Sequence, residues 1–246
     1  MSVTRPTRPS NGGVAPPERH HRDIQGGAAR AAVLGVSDGL VTNVSLILGV
    51  AGANTAGGNV RIAGLAGLLA GAFSMAAGEY VSMRAQTELL ERELEMERLE
   101  LHRAPDAERR ELTQLYMSRG IDAEVAGDMA TELMRTPELA LQTHAREELG
   151  VNPEALPNPY RASSASAGSF ALGALVPLVP WFITHGLAAV VASLVLGAVA
   201  ALAIGFGLAR FTGRSMAKAM LRQLFVTVAA AGVTFAIGKA FGSAIS

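Results

Sequence analysis

Residues 162–209 read ASSASAGSFALGALVPLVPWFITHGLAAVVASLVLGAVAALAIGFGLA, 48 consecutive positions without one Asp, Glu, Lys or Arg. A helix crosses the hydrocarbon core of a bilayer in roughly 20 mostly apolar residues, so this run is long enough for two crossings. In lipid, each backbone N–H and C=O must find its partner inside the protein, which a single segment achieves only as a helix. Pro177 and Pro180 kink or break that helix. The expected turn between the two crossings is Pro180–Gly186, where Trp181 and His185 suit a membrane interface. The alternative, a pair of helices buried in a large soluble core, fits poorly with so long an uncharged stretch.

Working outward, three more segments have the same character. Ala31–Ala53 carries Asp38 as its only charge, and Ile62–Met83 carries Glu79 as its only charge. A further span runs from about Gln223 to Gly238, extended at both ends by small residues. The sequence therefore predicts an all-α integral membrane protein with five transmembrane helices.

Charge is segregated along the chain. The total is zero, yet residues 84–162 hold 17 of the 21 acidic residues and 10 of the 21 basic ones, a net of −7. Such asymmetry marks separate environments. Cysteine is absent, which excludes disulfides and thiolate metal sites. Residues 1–22 are rich in Arg and Pro and have no apolar core of a signal peptide, so they read as a disordered basic tail. Directly before membrane spans, such a tail suits anionic lipid or topology control better than nucleic acid, and no nucleic-acid partner is expected. The expected divisions are 1–22 tail, 23–84 first two spans, 85–160 acidic helical domain and 161–246 last three spans.

Basic residues set the expected orientation. Arg5, Arg8, Arg19, Arg22 and Arg30 precede the first span, and Arg210, Arg214, Lys218 and Arg222 fill the connection between the fourth and fifth. Only Arg61 lies between the first and second. Cytoplasmic loops carry the excess of Lys and Arg, so the N-terminus and the acidic domain are expected in the cytoplasm. The acidic block reads as helices. One continues the second span through Glu88–Leu101. Ala107–Ser118 follows Pro105, Asp122 caps a helix reaching Met134, and Pro137–Leu149 ends at Gly150. Asn152–Tyr160 links back to the membrane.

Two groups of residues carry chemistry. In the spans, Asp38 and Glu79 are carboxylates where charge is costly, a sign of an ion path; a structural or snorkelling role is the other reading for Glu79. Met75 lies one turn before Glu79, and a thioether beside a carboxylate binds a transition-metal ion softly, although a lone Met is also ordinary packing. Gly35 with Gly39, and Gly67 with Gly71, have the small-residue spacing that lets the first two spans approach closely near Asp38 and Met75. In the acidic block, Glu93, Glu97 and Glu100 form one helical stripe, Glu108 and Glu111 repeat the spacing, and His144 with Glu148 close it. These spacings suit a carboxylate-rich site for Fe(II), Mn(II) or Zn(II), and equally a solvated acidic face; a bound cation would relieve the clustered repulsion. The Glu-x-x-His pair of di-iron bundles occurs only at Glu18–His21, in the tail. No P-loop is present, so nothing points to ATP.

Four segments together resemble the vacuolar iron transporter family, which includes nodulin-21-like and bacterial members. They are Gly35-Val-Ser-Asp-Gly-Leu-Val-Thr-Asn, Gly71-Ala-Phe-Ser-Met-Ala-Ala-Gly-Glu-Tyr, Arg146-Glu-Glu-Leu-Gly-Val and Gly173-Ala-Leu-Val-Pro-Leu-Val-Pro. The resemblance covers about residues 24–242. It implies a homodimeric, proton-coupled antiporter that exports Fe(II), and in some members Mn(II), across a vacuolar or cell membrane. It also implies that Asp38 and Met75 handle the ion in the membrane, and that Glu97, Glu100, Glu108, Glu111 and Glu148 belong to a cytoplasmic metal-binding domain inserted between the second and third spans. The chain departs from the plant-like pattern at Gly67, where that pattern has a membrane glutamate, and at His144 and Ala145, where it has methionines.

The expected function is therefore export of Fe(II) or Mn(II) against protons, with the metal as substrate, Zn(II) as another possible occupant of the acidic domain, and no resident cofactor. A membrane-tethered ferroxidase or iron-storage bundle is the alternative, distinguished by oxygen consumption on adding Fe(II). A regulatory membrane protein is a third reading, and it expects Asp38→Ala to be silent.

Overall fold

The computed structural model describes residues 27–53 and 57–245. The basic tail, with Arg5, Arg8, Arg19, Arg22 and the Glu18–His21 pair, lies outside the described residues. Among the described residues, all regular structure is helical. The order is α1 (Gly27–Gly52), α2 (Gly57–Arg103), α3 (Pro105–Ser118), α4 (Ala123–Leu133), α5 (Pro137–Glu147), a 3-10 turn (Pro153–Ala155), α6 (Pro159–Leu178), α7 (Pro180–Ile183), α8 (Gly186–Thr212) and α9 (Met216–Ile245).

Four of these are long and apolar enough to cross a membrane: Arg30–Gly52 in α1, α2, α8 and Met216–Ala244 in α9. The chain is thus a helical, multi-pass membrane protein. α6, where a further span was expected, falls short of that measure for a legible reason. Its first eleven residues carry Ser163, Ser164, Ser166 and Ser169, and it ends beside Pro177. It lies against α1 over most of its length, and against α2 next. Ala162, Ser166, Phe170, Ala174 and Leu178, each four apart, form its buried stripe. A helix sheathed by protein needs less hydropathy than one facing lipid.

The helical glycines decide this packing. A Cβ on Gly39 would sit 2.0 Å from the Phe170 carbonyl oxygen, and one on Gly173 would sit 2.2 Å from that of Val36. Gly35 likewise abuts Ser166 and Ser169. The small-residue pair in α1 therefore seats α6, and not α2 as its spacing in the first span had suggested. Gly71 of α2 receives the Phe170 ring. Asn43, wholly buried, donates from Nδ2 to the Ala174 carbonyl at 2.6 Å and pins the two helices together one turn before Pro177.

The proline break falls as expected. α6 stops at Leu178, α7 restarts at Pro180, and Thr184 and His185 are extended before Gly186, whose φ of +59° starts α8. Trp181 differs from expectation: it is buried among Val60, Phe170, Leu178 and Ala189, while His185 is exposed.

α2 is 47 residues long, about 70 Å at 1.5 Å per residue, more than twice the hydrocarbon thickness. It leaves the apolar region without a break and becomes the backbone of the acidic block. Thr87 Oγ1 anchors the returning linker by donating to the Pro157 carbonyl at 3.1 Å. α3 begins at Pro105, α4 is capped by Asp122 (Glu124 N–H to Oδ1, 3.0 Å) and α5 by Thr136 before Pro137. Leu112 and Tyr116 of α3 pack on Ala126 and Ala130 of α4 to form a small separate core.

Candidate metal site

Three helices of the acidic block each present one ligand-type side chain from an inward stripe that is otherwise uncharged and mostly apolar. On α2 the stripe is Met83, Thr87, Leu94 and Glu97. On α3 it is Glu108, Leu112 and Tyr116, and on α5 it is Ala140, Thr143 and His144. Burial of apolar neighbours therefore carries Glu97, Glu108 and His144 inward with them. Their exposures are 6 %, 8 % and 0 %. An Arg119–Glu147 ion pair, joined by Tyr116 Oη donating to Glu147 Oε1 at 3.4 Å, holds α5 against the end of α3.

The geometry suits one cation. Glu97, Glu108 and His144 each offer a ligand atom, and these atoms lie within 4.8 Å of one another. His144 Nδ1 stands 2.9 Å from Glu148 Oε1, 3.2 Å from Glu97 Oε1 and 3.8 Å from Glu108 Oε2. Glu148, one helical turn after His144, is the fourth candidate ligand. Glu97 Oε1 and His144 Nε2 are buried and have no hydrogen-bond partner. Buried polar atoms are nearly always satisfied, and a cation among these carboxylates would satisfy Glu97 Oε1. Nδ1 is the His144 nitrogen that faces the three carboxylates, so to serve as a ligand it must be unprotonated, with the proton of the neutral ring on Nε2.

Electrostatics agrees. Burial pushes the Glu97 carboxyl up to about 7, and the charges of Glu148, Glu108, Glu100 and Glu111 push in the same direction. Glu108 is raised too, first by burial and then by Glu111, with His144 acting against the rise. The field of five carboxylates is what a divalent cation would neutralise. Glu100 and Glu111 are exposed and act through that field rather than from within the cluster. Glu93 is half-buried on the same helix and belongs to no such group.

The membrane candidates are placed differently. Asp38 is exposed on α1, with Thr42 Oγ1 donating to its Oδ1 at 3.2 Å. Met75 of α2 packs on the cluster around Phe170 and Leu68. Glu79, one turn further, is half-buried and its Oε1 has no partner. Among the described residues, neither carboxylate joins a group of three ligand-type side chains. Asn43 is the residue that reading the sequence for charge passed over. Its signal was there: a lone amide in an apolar span is costly unless it bonds across helices.

The fold and this cluster define a class: a polytopic helical membrane protein with a buried carboxylate–histidine cluster in its acidic helical block. Known sequences narrow it further. The VIT family profile matches residues 29–239, and the chain belongs to that family. It is 34 % identical to vacuolar iron transporter 1 of Eucalyptus grandis, over 89 % of this chain and 88 % of that one. It is 36 % identical to the vacuolar iron transporter of Acanthamoeba castellanii, over 90 % and 82 %. Vacuolar iron transporter 1 of Arabidopsis thaliana is 30 % identical over 89 % and 90 %.

Proposed function

We propose that this protein exports Fe(II) or Mn(II) from the cytoplasm in exchange for protons, as a five-span protein working as a homodimer. The observation that carries the reading is the buried Glu97–Glu108–His144 cluster, whose ligand-type atoms lie within 4.8 Å of one another. Iron transport is named for the relatives and comes to this chain by its membership of their family. α6 supplies the fifth crossing, between α1 and α2.

In this mechanism Glu97, Glu108, His144 and Glu148 capture the ion, and Glu100 and Glu111 raise its local concentration. The donor set of oxygens with one nitrogen suits Fe(II), Mn(II) or Zn(II). Metal and proton compete at Glu97: a carboxyl whose proton leaves near pH 7 releases it when a cation arrives and regains it when the cation departs. Asp38 and Met75 then pass the ion through the membrane, and Asp38 or Glu79 takes the returning proton. The N-terminus and acidic bundle face the cytoplasm, in the cell membrane of a bacterium or the vacuolar membrane of a eukaryote. The test is a pH-sensitive dye trapped in proteoliposomes during metal uptake. Antiport requires the lumen to lose protons as the metal enters, and metal uptake with no change in lumenal pH contradicts it.

A further inference from the structure

Three cations without ion-pair partners among the described residues converge at the turn between α8 and α9. The chain leaves α8 at Thr212, turns through Gly213 in a left-handed conformation (φ +66°) and re-enters at Met216. Arg214 in the turn and Lys218 and Arg222 in the first two turns of α9 line one cavity of about 710 Å³, with Leu208, Thr212, Ser215 and Ala219 as its other walls. Among the described residues, no Asp or Glu lines it. None of the three cations forms an ion pair among the described residues.

Topology control explains positive charges beside a span, but it needs only their number. It does not need them gathered around one hollow. All three are exposed, so their charges are open to an anion that approaches the hollow from outside the chain. Lys218 and Arg222 are four apart on α9 and share a face, and Arg214 approaches that face from the turn. Neighbouring positions Leu221 and Phe225, also four apart, are 63 % and 73 % exposed. A large apolar face next to a basic hollow is amphipathic in the way a lipid is: phosphate at the interface, acyl chains below.

We propose that Arg214, Lys218 and Arg222 hold the phosphate of an anionic phospholipid headgroup, with its acyl chains along Leu221 and Phe225. The site lies apart from the Glu97–Glu108–His144 cluster. It rests on the membrane reading alone, and it stands whether or not the chain moves metal.

The experiment is a thermal unfolding titration of the full-length protein in a neutral detergent, with phosphatidylglycerol, phosphatidylcholine or inorganic phosphate added at matched ionic strength. Phosphatidylglycerol is expected to raise the midpoint saturably, and the other two are not. Lys218→Gln should raise the half-saturating lipid concentration by about tenfold, and Arg214→Gln/Lys218→Gln/Arg222→Gln should abolish the response. The charge-keeping variant Arg214→Lys/Lys218→Arg/Arg222→Lys should retain it, which separates loss of the site from loss of folding or of orientation. An equal response to phosphatidylcholine overturns the proposal, as does a wild-type response surviving in the triple Gln variant. Saturation by inorganic phosphate alone, with nothing gained from lipid, overturns the lipid assignment. No response to any of the three leaves the cations to another occupant, such as the acidic bundle of a neighbouring chain, and overturns it too.

Discussion

Glu97 shows how a residue's neighbours decide its role. Its stripe companions are Leu94 and Thr87, so folding drags a carboxylate inward where a solvated Glu would turn out. The spacing of glutamates at three and four was legible in the sequence and gave the shared faces of Glu93, Glu97 and Glu100. Which of the three turns inward was encoded by the apolar residues between them, and reading the acids alone could not say. The raised Glu97 carboxyl has two measurable consequences. Metal binding must displace its proton, so the affinity for Mn(II) should fall by up to about tenfold per pH unit below 7, as isothermal titration between pH 5.5 and 8 would measure. Glu97→Gln should weaken binding at pH 8 by at least about tenfold and flatten that slope. Without metal the sign is reversed for stability. The folded state holds a proton on Glu97 that the unfolded chain releases near 4.5, so the metal-free protein loses stability as pH rises from about 4.5 to 7. The loss is on the order of 1–2 kcal/mol once solvent screening is allowed for. Glu97→Gln should then unfold at a higher temperature than wild type at pH 8 without metal, and at a lower one with saturating Mn(II).

Among the elements, α6 is the one whose character the sequence reported least directly. Its 48-residue uncharged context announced two crossings, and Pro177 and Pro180 announced their break, but its serines lower its own hydropathy because α1 and α2 cover it. Partner choice was not written in the glycine spacing either. Gly35 and Gly39 say that some backbone comes close; that it is α6 follows from Gly173 and Phe170 on the other side of the contact. Gly39→Leu should therefore separate α1 from α6 and cost at least about 1–3 kcal/mol, read as a lower unfolding midpoint in detergent. Gly78→Leu, with open space around its Cβ, should change the midpoint little. The continuity of α2 was plain, since Met83 to Leu101 contains no Gly or Pro and no turn signal.

The whole molecule joins an apolar helical region to a net-acidic bundle through one unbroken helix. Charge segregation made that division legible at once. Because the chain has no cysteine, any introduced one is a unique reporter of sidedness. Five crossings predict that Ser118→Cys and Ser215→Cys label from the cytoplasmic side. Cys at 185 and at 244 should label from the other side. Four crossings would split the first pair. The central claim, that the ion captured by the bundle crosses through the spans past Asp38, is tested most directly by uptake of Fe(II) or Mn(II) into proteoliposomes with an imposed pH gradient, wild type beside Asp38→Ala. The account predicts gradient-driven uptake by wild type and at least about tenfold slower uptake by the variant, with metal binding at the bundle intact. Equal uptake by the two proteins, or none by wild type, would contradict it.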